Sequence, residues 1–260
     1  VVSAVGVGCV TCHVTAPGPD AATLATGSSG SAAPHPVMRD PAFGTPLACA
    51  GCHEFDFPEA APHQAPERMQ STVSEHAVSR FAGTSCVECH MVRAPTPQRP
   101  GHRSHLFGAS RDLARLRSAV RVRGERVSPS SVRLTLTSGR VGHAFPTGDL
   151  FRRLVVSAEA VGDDWFVVSE ASRQLRRRFE VRPMASGHFG RHVVADDRVG
   201  VDASTPVTLD LGEQARGRAI AWRVEYQRVE HPLGGDGSEA VLAGSAVVAE
   251  GFIAATGGGR

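Results

Sequence analysis

The chain has 260 residues, a formal net charge of +2 and only 5% aromatic residues. That balance excludes the strongly basic profile of a nucleic-acid binder or a polybasic membrane anchor, and no apolar run approaches the roughly 20 residues that span a bilayer. All 28 basic residues are arginine and there is no asparagine, which excludes Schiff-base chemistry on lysine and any N-glycosylation sequon. The opening "VVSAVGVGC" has neither methionine nor a charged leader. It reads either as a start behind a removed signal peptide or as a start within a longer precursor.

In chain order, short helices are expected at or just before "CVTCH" (9–13), "CAGCH" (49–53) and "CVECH" (86–90). The stretch between the first two, "TAPGPDAATLATGSSGSAAPHP", is rich in proline and small residues and nearly featureless. "EAAPHQAPER" reads as a linker, and "ERMQSTVSEHAVSRF" as an amphipathic helix with Met69, Val73 and Ala77 on one stripe. A further helix is expected over 110–117. From about residue 118 the pattern alternates. "AVRVRG", "SVRLTLT", "RRLVVSAEA", "DWFVVSE", "QLRRRFEV", "PVTLDLG", "AIAWRVEYQ" and "AVLAGSAVVAEGFIA" read as about eight short strands, separated by turn residues such as "PSS", "GDD" and "GGDG".

All six cysteines lie in the three C-x-x-C-H strings, the signature of c-type haem attachment. Two thiols add across the two vinyl groups of one haem, and the following histidine is set beneath the iron as the proximal ligand. Three haems c are therefore expected. Their thioether bonds fall on Cys9 and Cys12, Cys49 and Cys52, and Cys86 and Cys89, and their proximal ligands are His13, His53 and His90. A zinc ribbon pairs two C-x-x-C knuckles at closer spacing, whereas here the strings are three and each ends in histidine. Disulfides within C-x-x-C would close strained tight loops. Residues 1–117 are too poor in core residues to fold on their own side chains, so covalent haems must supply apolar area. The expected fold class is a loop-rich, short-helix multihaem c-type domain at 1–117, followed by an all-β, immunoglobulin-like sandwich at 118–255 and a flexible tail at 256–260.

Each iron has a second axial position, and nine histidines remain to fill three. His35 is favoured because Pro34 and Pro36 restrict its backbone and aim its ring; nearby Met38 is an alternative that would raise that haem's potential. His105 is favoured over His102 because Leu106 and Phe107 follow it and suit a haem face. His143 lies in "GRVGHAFPTGDLFRRL", between strand-like runs at 132–137 and 151–158. Gly142 permits close backbone approach, and Pro146 with Gly148 imposes a turn. Such punctuation places a side chain rather than merely connecting two strands, so His143 is read as a distal ligand reaching from the second domain to a haem of the first. His76 and His102 are reserves. The cluster "RQLRRRF" (173–179) reads equally as a solvated strand face or as a contact for haem propionates or an acidic partner.

The strings "GVGCVTCH", "HPVMRDPAFG", "CAGCHEFDFP", "CVECHM", "HRSHLFGASRDL" and "VGHAFPTGDLFRRL" together resemble a family of bacterial multihaem cytochromes c of the cytochrome c554 type. The resemblance covers about residues 6–158. It implies electron transfer, and it implies the same three distal ligands, His35, His105 and His143. It extends to cytochromes that polymerise into extracellular filaments. The expected protein is thus an electron carrier with three bis-histidine haems, located in the periplasm, on the outer surface or outside the cell. Its partners would be redox proteins or copies of itself, without nucleic acid and without a transmembrane segment. The alternative is a small multihaem reductase with one open haem and a proton donor, His76 or His102, beside it. A docking module built on the β-domain is a third reading, for which no aromatic sugar-binding strip is present.

Overall fold

The structure, a computed structural model, describes residues 8–18, 21–26, 36–57, 67–93, 102–148, 150–162, 164–183, 187, 189–233 and 238–256. The first half runs α1 (Cys9–His13), β1 (Val14–Gly18), β2 (Ala21–Thr26), β3 (Met38–Arg39), a 3-10 turn (Pro41–Gly44), α2 (Leu47–His53), β4 (Glu54–Asp56), β5 (Arg68–Ser71), α3 (Thr72–Ala77) and α4 (Cys86–His90). The second half runs α5 (Leu113–Ala119), β6 (Val120–Arg126), β7 (Ser131–Ser138), β8 (Arg153–Val161), β9 (Val167–Leu175), β10 (Arg177–Pro183), β11 (Phe189–Asp196), β12 (Ser204–Asp210), a 3-10 turn (Glu213–Ala215), β13 (Ala219–Leu233) and β14 (Glu239–Ile253). The chain forms two compact units. One extends to His53 and takes in Gly83–Gly108; the other takes in Glu54–Ala82 and everything from Ala109 onward.

In the first unit each C-x-x-C-H string is wound as a single short helix. Helices this short do not hold themselves in water, so local devices fix them. Ser85 and Glu88 form a capping box on α4, and the Arg103 guanidinium donates to the carbonyls of Val87 and Met91 at the other end, each at 3.0 Å. Asp40 caps the 3-10 turn by accepting from the Ala42 amide at 2.8 Å. β1 pairs antiparallel with β2, and β2 pairs parallel with β3. Among the residues of this unit whose side chains are described, which leaves out 15–18 and 21–26, none is buried.

The second unit contains the apolar core. In β7 the run "SVRLTLTS" alternates, and Val132, Leu134 and Leu136 turn inward with no exposed surface. β7 is the centre of the sheet β12-β7-β6, while Leu154, Val156, Ile220 and Val224 come from the sheet β14-β13-β8-β9. These side chains share one cluster. A two-stranded ribbon is marginal alone, and β10-β11 is anchored by β4-β5. Arg177 donates to the carbonyls of Met69 and Arg68 at 2.6 and 2.5 Å. Glu67 accepts from the Val193 amide at 2.7 Å and lies 2.7 Å from His192 Nδ1, and Phe57 meets Phe179 edge-on. Burial would raise the Glu67 pKa, but these bonds and His192 hold it below the usual carboxylate range.

These observations correct the expected fold class of a loop-rich, short-helix domain followed by an all-β, immunoglobulin-like sandwich. Strands make up 49% of the described residues and helices 18%, and five of the fourteen described strands precede α4. The "featureless" stretch after the first motif contributes β1 and β2, because extended backbone must pair its N–H and C=O groups somewhere. The second unit is not all-β, since α3 and α5 belong to it, and its strands divide among separate sheets and ribbons. The helix expected over 67–81 is shorter. Residues 68–71 form β5 against β4 instead, with Met69 at the irregularity of the ladder, and α3 starts where Glu54 accepts from the amides of Val73 and Ser74 at 3.0 and 3.1 Å.

Leu134→Ala should cost about 2–5 kcal/mol, read as a lower urea midpoint at unchanged slope. An unchanged midpoint would mean that Leu134 is not in the core.

Candidate functional site

The turn that holds His143 is tied to α3 and to the 196–199 segment within the second unit. The Ala144 amide donates to Glu75 Oε2 at 3.1 Å, and Phe145 exchanges two backbone hydrogen bonds with Val199 at 2.8 and 2.9 Å. Arg198 joins Glu75 and Asp196 at 2.7 Å each and also donates to the Pro146 carbonyl. Its side chain is 8% exposed and that of Glu75 13%, so the pair works where water screens little. Burial alone would lower the Arg198 pKa; the two carboxylates overcome it and hold the guanidinium above its ordinary value. Gly148 adopts φ +99°, open to glycine and strained for other residues, with the Arg152 guanidinium packed over it.

His143 donates from Nδ1 to the Ala144 carbonyl at 3.0 Å. A carbonyl only accepts, so the neutral ring carries its lone pair on Nε2. Burial chiefly holds the His143 pKa below the ordinary histidine value, helped by Arg198 and His76 and opposed by the Ala144 bond and the Glu75 charge. The His76 ring lies against the backbone of Gly142. A Cβ built there would sit 2.9 Å from His76 Cδ2 and 3.2 Å from Phe81 Cβ. Glycine at 142 is therefore what admits the second imidazole beside His143.

In the first unit the motifs gather. His13 stacks on Phe43 at 5.1 Å and 17°, and its ring lies 6.1 Å from that of His105. His102 stacks on His105 at 5.7 Å, and Phe107 meets His105 edge-on. His105 repeats the bond seen at His143, with Nδ1 2.9 Å from the Arg103 carbonyl. Cys49 is hydrogen-bonded with Cys86. That bond first, then burial and the neighbouring thiols of Cys86, Cys12 and Cys52, push the Cys49 thiol pKa up. None of the six cysteines is in a disulfide.

The structure thus brings His13, His102 and His105 together in one unit, and His76 and His143 together in the other. His53 and His90 end α2 and α4. His35 lies outside the described residues. Met38, its alternative, is 42% exposed in β3. Of "RQLRRRF", Arg177 bonds backbone carbonyls and Arg178 pairs with Asp197 at 3.1 Å. Sequence reasoning missed Glu75 and Arg198, which set the His143 turn, and Phe43, which covers His13. A carboxylate beside a histidine in a polar helix gives no sign that an arginine more than a hundred residues later will close over it.

No protein-family model and no curated protein matches the chain. Among solved structures it matches the crystal structure of a penta-haem cytochrome c552 from Thermochromatium tepidum, with a TM-score of 0.56 and 18% identity, over 84% of this chain and 58% of that one. The chain therefore spans little more than half the length of that protein. What the two share at this identity is the fold. No helix among the described residues is long and apolar enough to cross a membrane.

Gly142→Ala should force the His76 ring aside and cost about 1–3 kcal/mol as an overpacked contact, measured as a lower thermal midpoint. A neutral substitution would show that the turn does not hold His76 closely.

Proposed function

We propose that the chain is an electron-transfer cytochrome with three covalent haems c. They are bonded through Cys9 and Cys12, Cys49 and Cys52, and Cys86 and Cys89, with His13, His53 and His90 as proximal ligands. One observation carries this reading. In the unit that contains all three motifs, none of the residues whose side chains are described is buried, and Val10, Leu47 and Leu106 stand at 67%, 71% and 88% exposure. Apolar side chains so placed beside thiol pairs fit large, flat, apolar groups held by those thiols. A bound haem supplies a one-electron ferric/ferrous couple.

The residues also fit the axial positions. His13 and His105, whose ring centroids lie 6.1 Å apart, would hold one iron between them. The carbonyl bonds at Nδ1 of His105 and His143 orient both rings as ligating histidines are oriented. Among the described residues no group of three or more histidine, cysteine or acidic side chains is arranged for a metal ion. The distal set remains His35, His105 and His143, with His76 and His102 in reserve, and residues 1–117 as the haem-bearing domain. An extracytoplasmic site follows from covalent haem attachment. Self-assembly into a filament extends the proposal on the resemblance alone, and electron microscopy of the native protein tests it.

His143→Ala should keep three covalent haems by intact mass, because no cysteine is touched. One haem should become high-spin or recruit a substitute ligand, with its midpoint potential altered. An unchanged, fully low-spin spectrum with unaltered potentials would remove His143 from the ligand set.

A further inference from the structure

Arg152, Arg177 and Arg198 converge on a small cavity in the second unit, lined also by Gln70, Ser71 and Thr147. Its free space is about 10 Å³, room for one water-sized atom, and it is not sealed. The guanidiniums reach it from three places in the sequence, and only one comes from the cluster at 173–179. Glu75 and Asp196 both pair with Arg198. Arg177 donates to two backbone carbonyls, and Arg152 to the Tyr226 hydroxyl at 2.8 Å. Among the described residues neither Arg152 nor Arg177 has a carboxylate at ion-pair distance. Arg152 Nε is buried without a hydrogen-bond partner, and a buried unmet donor is unfavourable. Burial, then the charge of Arg198, also hold the Arg177 pKa below the guanidinium norm, although Asp196, Glu75 and Glu67 act on it from farther off.

We infer that this cavity is an anion site that takes one oxygen of a carboxylate or inorganic oxyanion between Arg152 and Arg177. Guanidinium groups match such oxygens in charge and in donor geometry. The room admits a single oxygen at the floor, with the rest of the ligand at the mouth. Two sources share this chemistry. One is a haem propionate, which rests on the function proposed above. Its place is apt because Pro146, Thr147 and Gly148 of the cavity wall belong to the turn that holds His143. The other is a dissolved oxyanion.

The experiment uses the purified haem-loaded protein as wild type, Arg152→Gln and Arg152→Lys. Arg152→Met, which keeps the packing over Gly148, replaces the glutamine variant if that does not fold. Thermal midpoints are followed against inorganic phosphate, and haem potentials by voltammetry. A saturable rise with phosphate in the wild type, lost in Arg152→Gln and partly kept in Arg152→Lys, supports a site open to dissolved oxyanions. No phosphate effect, with one haem potential lowered in Arg152→Gln and restored in Arg152→Lys, supports a propionate in the site, because removing a positive charge favours the ferric form. No phosphate effect together with unchanged potentials, or the same phosphate effect in all variants, overturns the inference. Haem counting on the same samples keeps the two proposals apart. A phosphate site lost with Arg152 in a protein without three haems would leave the anion site standing and the cytochrome reading refuted.

Discussion

A polypeptide unit without a buried side chain has almost nothing to set against the conformational entropy of ordering it. That is the condition of those residues, in the unit with the three C-x-x-C-H strings, whose side chains are described. Short helices with a capping box, one arginine across a helix end and a small sheet define its backbone. Such devices contribute about 1 kcal/mol each, too little to fold several dozen residues. What remains is six thiols in three regular pairs and apolar side chains turned outward beside them. On the proposed function the unit would depend on what those thiols hold, and cross-linking by large apolar groups would meet both needs at once.

The second unit follows different physics. Its core closes on its own side chains, from Leu134 and Leu136 in one sheet to Leu154 and Ile220 in the other. Upon that rigid base the His143 turn is over-determined by a backbone bridge at Phe145, the Glu75–Arg198 pair and the close approach of His76 to Gly142. Removing one member of a buried ion pair leaves an uncompensated charge costing several kcal/mol. The turn therefore either holds its geometry or loses it as a unit, as the proposed ligand role of His143 would require.

The sequence revealed most where the chemistry is local. C-x-x-C-H is a spacing rule, and each string forms the short helix that places its two cysteines and histidine. Strict alternation made "SVRLTLT" readable as a strand, since every second residue meets the core. The turn at 142–148 announced itself through Gly142, Pro146 and Gly148. Legibility failed where pairing is decided by partners distant in sequence. β1 and β2 carry no alternation and exist because they pair with each other, and Met69 left an apparent helix stripe because β4 offered a ladder. The grouping of residues 54–82 with the C-terminal strands was equally hidden, since it rests on ties such as Arg177 to Met69 and Glu67 to Val193. The pairing of Glu75 with Arg198 was hidden for the same reason.

On the proposed function the first unit is organised around groups bonded to its cysteines. Alkylation of the native protein with iodoacetamide after denaturation and reduction, read by peptide mass spectrometry, tests it most directly. Cys9, Cys12, Cys49, Cys52, Cys86 and Cys89 should all escape alkylation, and each pair should carry the mass of one haem on a single peptide. Six alkylated cysteines with no added mass would contradict it.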